Sequence, residues 1–268
     1  MSSIIVRTKW GWMEVPRDDT FVGGSLQLLG EYSPVESRFL QLLLGEDDVA
    51  VDVGANVGAL TIPMAHVAKK VYAFEPQSEI FKMLEKNVQS NGLGEKVVLV
   101  QAACGEKEGK ASMALRQEGN WGSATVVEGD EVDVVRLDSA IDEKVDLLKI
   151  DVEGFEVEVL RGAVGLLHDD IVVIAEADQP GPGKRLLEWL KEHEFEVRWF
   201  ITPLYHPDNH NKCKDNPFGL TCSFNVIAWY KRGKWGDAFE GLTPVDAIKE
   251  IGTAPLSAIV GEVYKSAR

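Results

Sequence analysis

Lys149, Asp151 and Glu153 stand at alternate positions in Leu148-Lys149-Ile150-Asp151-Val152-Glu153-Gly154, at the end of a largely apolar run that starts at Val145. Alternate side chains of an extended segment point to one face, so three charges share a face at the tip of a buried strand. Charges placed there cost solvation unless they are paired or used. Pairing would set Lys149 against Glu153 or Glu176. Use would put Asp151 beside a reacting centre, with Lys149 and Glu153 touching a substrate or tuning its protonation. If the substrate is a hydroxyl it must lose a proton, and Asp151, Glu153, His206 and His210 are bases of suitable type.

A second constellation lies upstream. Val49-Ala50-Val51-Asp52-Val53-Gly54-Ala55-Asn56-Val57-Gly58 reads as a buried strand that ends in an acid and turns at once through glycine. A helix over 59–69 follows, then a strand, Val71-Tyr72-Ala73-Phe74, closed by Glu75. Strand, glycine turn, helix, strand and acid form the layout of a nucleotide-type cofactor site. The loop reads D-x-G-A-N-x-G, not G-x-G-x-x-G. Asp52 replaces the first glycine, where a dinucleotide places its pyrophosphate. A carboxylate there repels phosphate and suits a cationic amino acid or a sulfonium. S-adenosylmethionine (SAM) carries an adenosine, a positive sulfonium and no phosphate. Gly54 and Gly58 allow a sharp turn and close backbone approach. Asp52 is set to accept from the methionyl ammonium, directly or through water. Glu75, 17 residues after Gly58, is set to grip two ribose hydroxyls, with Phe74 or Pro76 beside the adenine.

These residues need a scaffold. Apolar strands fall at 49–53, 71–75, 97–101, 145–151, 171–176 and 195–200, with helices at 59–69, 77–91, 154–166 and 183–193. That alternation signals a parallel sheet covered on both faces. A last strand over 223–230 follows a long loop without a helix and is therefore expected to run antiparallel, as the seventh. The fold class is α/β, a Rossmann-like, doubly wound, mostly parallel seven-stranded sheet. Residues 104–138 break the rhythm and read as an inserted hairpin or extra strands. Residues 1–30 read as short strands or a hairpin, with turn signals at Asp18-Asp19 and Gly23-Gly24. Ser33-Pro34-Val35-Glu36 has the form of a helix start in which Glu36 completes a capping box. The expected division is an N-terminal extension over 1–45, a cofactor-binding domain over 46–232 and a helical tail over 233–268.

The 268 residues suffice for one large α/β domain. A net charge of −15 argues against tight binding to bare nucleic acid or to anionic lipid. Cys104, Cys213 and Cys222 are widely spaced, fit a reducing compartment and make no metal-type pair. Neither a signal peptide nor an apolar run of membrane-spanning length is evident, so the expectation is a cytoplasmic protein. The segment Pro203-Leu204-Tyr205-His206-Pro207-Asp208-Asn209-His210 precedes the last strand and should overhang the cofactor edge, where His206, Asn209 and His210 would meet a sugar-like acceptor. Pro207 breaks the helix that would set the two histidines on one face, so no metal is expected there.

With the ordered motifs in place, the chain resembles the FkbM-type SAM-dependent methyltransferases. The resemblance rests on Asp52-Val53-Gly54-Ala55-Asn56-Val57-Gly58, Phe74-Glu75-Pro76, Asn87 and Asn91, Asn120-Trp121-Gly122-Ser123, Leu137-Asp138, Lys149-Ile150-Asp151-Val152-Glu153-Gly154, Leu160-Arg161-Gly162-Ala163, Ala175-Glu176 and Asn225-Val226-Ile227-Ala228. It covers about residues 25–230. It implies a SAM cofactor held by Asp52, Gly54, Ala55, Asn56, Gly58, Glu75, Pro76 and Asp151, with backbone at Ala102 and Ala103 against the adenine and Glu36 near the cofactor mouth. It implies chemistry at Lys149, Asp151, Glu153 and His210, and an acceptor met by Asn120, Trp121, His206 and Asn209. The expected reaction is O-methylation of a hydroxyl on a sugar or sugar-containing metabolite. A small-molecule or glycan partner is expected, not nucleic acid or membrane. An NAD-type oxidoreductase is the alternative that Asp52 opposes; a non-catalytic SAM-binding protein is another.

Overall fold

The computed structural model describes residues 1–245. The chain opens with β1 (Ser3–Thr8) and β2 (Gly11–Pro16), an antiparallel hairpin, then α1 (Val22–Leu29) and α2 (Pro34–Leu43). Next come β3 (Val49–Val53), α3 (Thr61–Val67), β4 (Lys70–Phe74), α4 (Ser78–Ser90) and β5 (Val97–Val100). An insertion follows, with β6 (Ala103–Cys104), β7 (Gly109–Leu115) and β8 (Ala124–Val135). The rest is α5 (Leu137–Ala140), β9 (Leu147–Ile150), α6 (Glu156–Arg161), β10 (Val172–Glu176), α7 (Pro180–Glu192), β11 (Glu196–Pro203) and β12 (Cys222–Trp229).

The main sheet has seven strands in the order β11-β12-β10-β9-β3-β4-β5. β3 pairs in parallel with β4 and β9, β4 with β5, and β9 with β10. β12 alone runs antiparallel, between β10 and β11. The expected doubly wound sheet and its antiparallel last strand are both present. The insertion forms its own three-stranded sheet, in the order β6-β8-β7.

Alternation along each strand divides the core in two. Ala50, Leu147, Val172, Ile174 and Ile227 join one cluster with α1, α2, α3 and α4. Val49, Val51, Val53, Leu148, Ile150, Val173 and Val226 join the other with α5, α6 and α7. The first face changes character at its carboxyl end. There Asp52, Lys149, Glu176 and Asn225 continue the parity of the apolar residues, and Asp52 sits opposite Lys149 while Glu176 sits opposite Asn225. Strand register alone thus sets a polar row beside the parallel-strand tips, where open α/β sheets bind ligands.

Three local expectations differ. Gly23-Gly24 lies inside α1 instead of in a turn, because Asp19 Oδ2 accepts the Gly23 amide (2.5 Å) and Ser25 N bonds Phe21 O at the helix start. The helix expected over 154–166 is shorter, α6 followed by a 3-10 turn at Val164–Leu166. No capping box forms at α2. Ser33 is left-handed (φ 40°) and makes no cap bond; its hydroxyl donates to the Glu36 carboxylate (2.9 Å). Residues 233–243 carry turns and Pro244 bridges to Arg198; Phe239 packs on Trp229, with ring centroids 5.0 Å apart. The helices expected beyond 245 lie outside the described residues.

Asn87 and Asn91 hold the hairpin down. Buried Asn87 accepts the Glu14 amide (2.5 Å) and donates to the Glu14 and Val57 carbonyls (2.8 and 2.9 Å), while Asn91 donates to Trp12 O (3.2 Å). They join β2, α4 and the glycine loop, a structural part and not a ligand contact.

Candidate active site

A single cavity runs across the carboxyl edge of the parallel strands. Its first half is lined by Gly54, Ala55, Asn56, Phe74, Glu75, Pro76, Ala102 and Ala103. Gly54 has φ +83°, and a Cβ there would overlap the Asp151 carbonyl, so only glycine lets the loop cross the tip of β9. Glu75 is buried and holds two backbone amides, Gln77 N on Oε1 (2.8 Å) and Asn56 N on Oε2 (3.0 Å). One lone pair of each oxygen stays open, which suits a vicinal diol. Burial raises the Glu75 carboxyl to about 7, against the lowering effect of those amides.

Two elements absent from the expectation complete this half. Phe21 and Val22 come from the start of α1, and Met113 and Val126 from the inserted sheet. Asp19, buried, ties them together by accepting the amides of Gly23 (2.5 Å) and Trp121 (3.2 Å). Asn120 and Gly122 line the cavity, whereas Trp121 packs on the core and caps it. The local sequence marks Asp19 only as a turn residue; its tie to Trp121 exists only once the insertion folds back.

The second half is charged. Lys149, Asp151, Glu153, Glu176 and Asp178 line it, with Tyr32 and the flanks of the loop before β12, Leu204 and the run Thr221-Cys222-Ser223-Phe224. Lys149 is buried and lies 3.3 Å from Asp52 Oδ1 and 3.4 Å from Asp151 Oδ2. Neither Glu153 nor Glu176 is its partner. Burial works against the lysine charge, but Asp52, Asp151 and Glu36 outweigh it and raise its proton affinity, so it stays a cation. Glu153 is left-handed (φ 56°), between Gln179 (3.2 Å) and Arg116 (3.4 Å). Burial, then Asp151 and Asp178, pushes it up to about 8. Glu153, Glu176 and Asp178 bring one carboxylate oxygen each within 4.8 Å of the others.

Several expected site residues lie elsewhere. Asp52 is fully buried and does not line the cavity; Thr61 donates to its Oδ2 (2.6 Å) and Lys149 faces Oδ1. Its role is to fix the lysine, not to touch an ammonium directly. Gly58 is also off the cavity; its missing side chain admits Leu84 of α4. Glu36 is buried off the cavity, accepting from Ser33 and from Asn225 (3.1 Å), and burial raises it to about 7. His206, Asn209 and His210 do not line the cavity. Asn209 clasps its own turn by accepting Cys213 N (2.9 Å), and the His210 backbone amide donates to Glu31 (2.9 Å), which draws the loop onto the end of α1. The loop reaches the edge only through its two ends, because its middle satisfies its own polar groups and those of residues 28–31.

The donor set fits SAM. A diol-binding carboxylate, a small apolar wall and an acid-rich far half match a ribose, an adenine and a cationic sulfur, and the first half presents no cation for a pyrophosphate. No helix among the described residues is long and apolar enough to cross a membrane.

Comparison with known proteins agrees. The methyltransferase FkbM domain model matches residues 52–197. The hexuronic acid methyltransferase AglP of Haloferax volcanii is 30% identical over 154 residues, 53% of this chain and 62% of that protein. Thus the chain spans less than two thirds of AglP. Methyltransferase 1 of Beauveria bassiana is 30% identical over 181 residues, covering 71% of its length. The crystal structure of the M. jannaschii tRNA m1G37 methyltransferase superposes with a TM-score of 0.50 over 85% of this chain and 56% of that one, at 15% identity, a likeness of fold alone. The chain belongs to the FkbM family of SAM-dependent methyltransferases.

Proposed function

We propose that this chain methylates a hydroxyl of a sugar or sugar-containing metabolite. The observation that carries the proposal is the second half of the cavity, polar, acid-lined and continuous with the cofactor half. Carboxylates at a cleft suit a polyhydroxyl ligand, whose many donors they accept. The similarity to a hexuronic acid methyltransferase supports the sugar class. The lining cation of this half, Lys149, is already held by Asp52 and Asp151, so a neutral sugar hydroxyl fits this cavity better than a uronate that needs a cation. The net charge of −15 disfavours a nucleic acid acceptor.

When bound, SAM supplies the methyl group, which the acceptor oxygen takes in line while the sulfur keeps the electron pair of the broken bond. The chain's own residues do the rest. Glu75 would hold the ribose hydroxyls, and Phe74, Ala102 and Ala103 the adenine. Asp151 and the acids beside it favour a positive charge at the middle of the cavity. Lys149, locked between Asp52 and Asp151, keeps its proton and sets the tip of β9. Alignment of acceptor and methyl supplies much of the rate.

The test is methyl transfer from labelled SAM to a panel of neutral sugars, uronates, amines and tRNA. Transfer to sugar hydroxyls alone supports the proposal. Transfer only to tRNA or to amines refutes it.

A further inference from the structure

Of the acids that line the cavity, three have oxygens engaged in ways that the fold explains. Asp151 Oδ2 faces Lys149 (3.4 Å), Glu153 Oε2 takes Gln179 and Arg116, and Glu75 holds two amides. Glu176 differs. It ends β10, lines the cavity, and its Oε2 is buried with no hydrogen-bond partner. Its register neighbour on β12, Asn225, turns its amide to Glu36 instead. A buried carboxylate oxygen left without a donor is costly; nothing among the described residues neutralises or anchors this one, and the half-buried side chain that carries it lines the charged half of the cavity.

We propose that Glu176 is the general base of the transfer: its carboxylate takes the proton that the acceptor hydroxyl loses as that oxygen is methylated. The inference rests on the hydroxyl-acceptor reading above. The proton moves from acceptor oxygen to Glu176 and then to solvent; no other reactant is needed. The groups that face Glu176 fit the task. Asp151 and Glu153 come from the loop at the tip of β9, Asp178 from just past the end of β10, Glu156 from α6 and Tyr32 from the turn between α1 and α2; Lys149 and Arg116 are the cations, both already facing other acids. Burial, then Asp151 and Asp178, lifts the proton affinity of Glu176 well above that of an ordinary carboxylate. A base so placed is strong once ionised. A sulfonium in the cavity favours its ionised form, and the neutral sulfide product favours its proton.

That charge dependence gives a test that needs no acceptor. Calorimetric titration with SAM and with S-adenosylhomocysteine, in two buffers of different ionisation heat, counts the protons released on binding. SAM should release more protons than S-adenosylhomocysteine around neutral pH. Glu176→Gln should remove most of that excess while changing SAM affinity less than threefold. Asp178→Asn removes a like charge from an exposed position and should move the midpoint of the excess to lower pH, which keeps the test open if Glu176→Gln misfolds. On an accepted hydroxyl, Glu176→Gln should slow single-turnover transfer by about 10²–10⁴ and flatten its rise with pH. Equal proton release with both ligands, or an excess untouched by both variants, would overturn the assignment. So would saturable Mg²⁺ binding that Glu176→Gln abolishes, since the three clustered acids would then hold a cation. If no sugar is methylated but the proton excess depends on Glu176, the acceptor class fails and the base stands.

Discussion

The cofactor half of the cavity is built from backbone turns and small apolar side chains around one carboxylate, Glu75. The charged half, where we propose the acceptor stands, gathers Asp151, Glu153, Glu176 and Asp178 near the buried Lys149. The first half has a local centre, Gly54 to Asn56 and Phe74 to Pro76 at two adjacent strand ends, which the start of α1 and the insertion close over. The second is assembled from the tips of β9 and β10, Tyr32 and both flanks of a long loop. A site that binds one invariant cofactor can be made from backbone and one diol clamp. A site that moves a proton needs charges held against their own repulsion, and the burial of Lys149 shows how the chain holds them.

The largest expected effect breaks the charged half. Lys149→Met leaves Asp52 and Asp151 without their cation in a buried setting and should cost about 3–5 kcal/mol of stability by urea unfolding. Adding Asp52→Asn should recover much of it; no recovery would mean that the pair is not coupled. In the cofactor half, Gly54→Ala forces a left-handed alanine against the Asp151 carbonyl. Strain of about 1–3 kcal/mol, plus that overlap, should lower the urea midpoint and abolish measurable SAM binding.

Glu75→Gln sharpens the comparison by pH. SAM affinity should fall by about 1.5–3 kcal/mol, the range for hydrogen bonds to a charged group. In the wild type, affinity should rise as Glu75 ionises through about 7. Ligand-free stability runs the other way. The folded carboxyl holds its proton more tightly than the unfolded chain does, so its stabilisation is lost as pH rises from 4.5 to about 7. Buried Glu36 acts with the same sign. Melting temperatures at pH 5 and pH 8 should therefore differ less in Glu75→Gln than in the wild type. The smallest effect tests the boundary of the acceptor half. His206→Ala and His210→Ala should each change stability by less than about 0.5 kcal/mol and leave transfer intact. A selective loss of acceptor use in either variant would return the histidines to the site.

Much of this was legible in the residues. Continuous apolar strands between helices, an acid closing β4 and glycine within the first loop dictate a doubly wound sheet with Glu75 at its cavity, because each signal is carried by neighbours in sequence. Local reading also marked Lys149, Asp151 and Glu153 as residues that must be paired or used. It did not choose the partner. Strand order put Asp52 opposite Lys149 and so gave a residue expected at the cofactor the lysine as its direct partner. The loop histidines misled for the opposite reason: their types suit catalysis, but their backbone and neighbours bond to Glu31, Cys213 and each other, which draws them off the cavity.

Sequence by itself determined the fold class, the family and the two strand ends at the centre of the cavity's first half, since strand periodicity and turn chemistry act over a few residues. Only the tertiary structure decided which acids meet. Asp19 reaches Trp121 across 102 positions, Lys149 reaches Asp52 through strand pairing, and Glu176 is left without a donor because Asn225 turns to Glu36. Electrostatic energy depends on distance in space and on burial, and neither is a property of spacing along the chain.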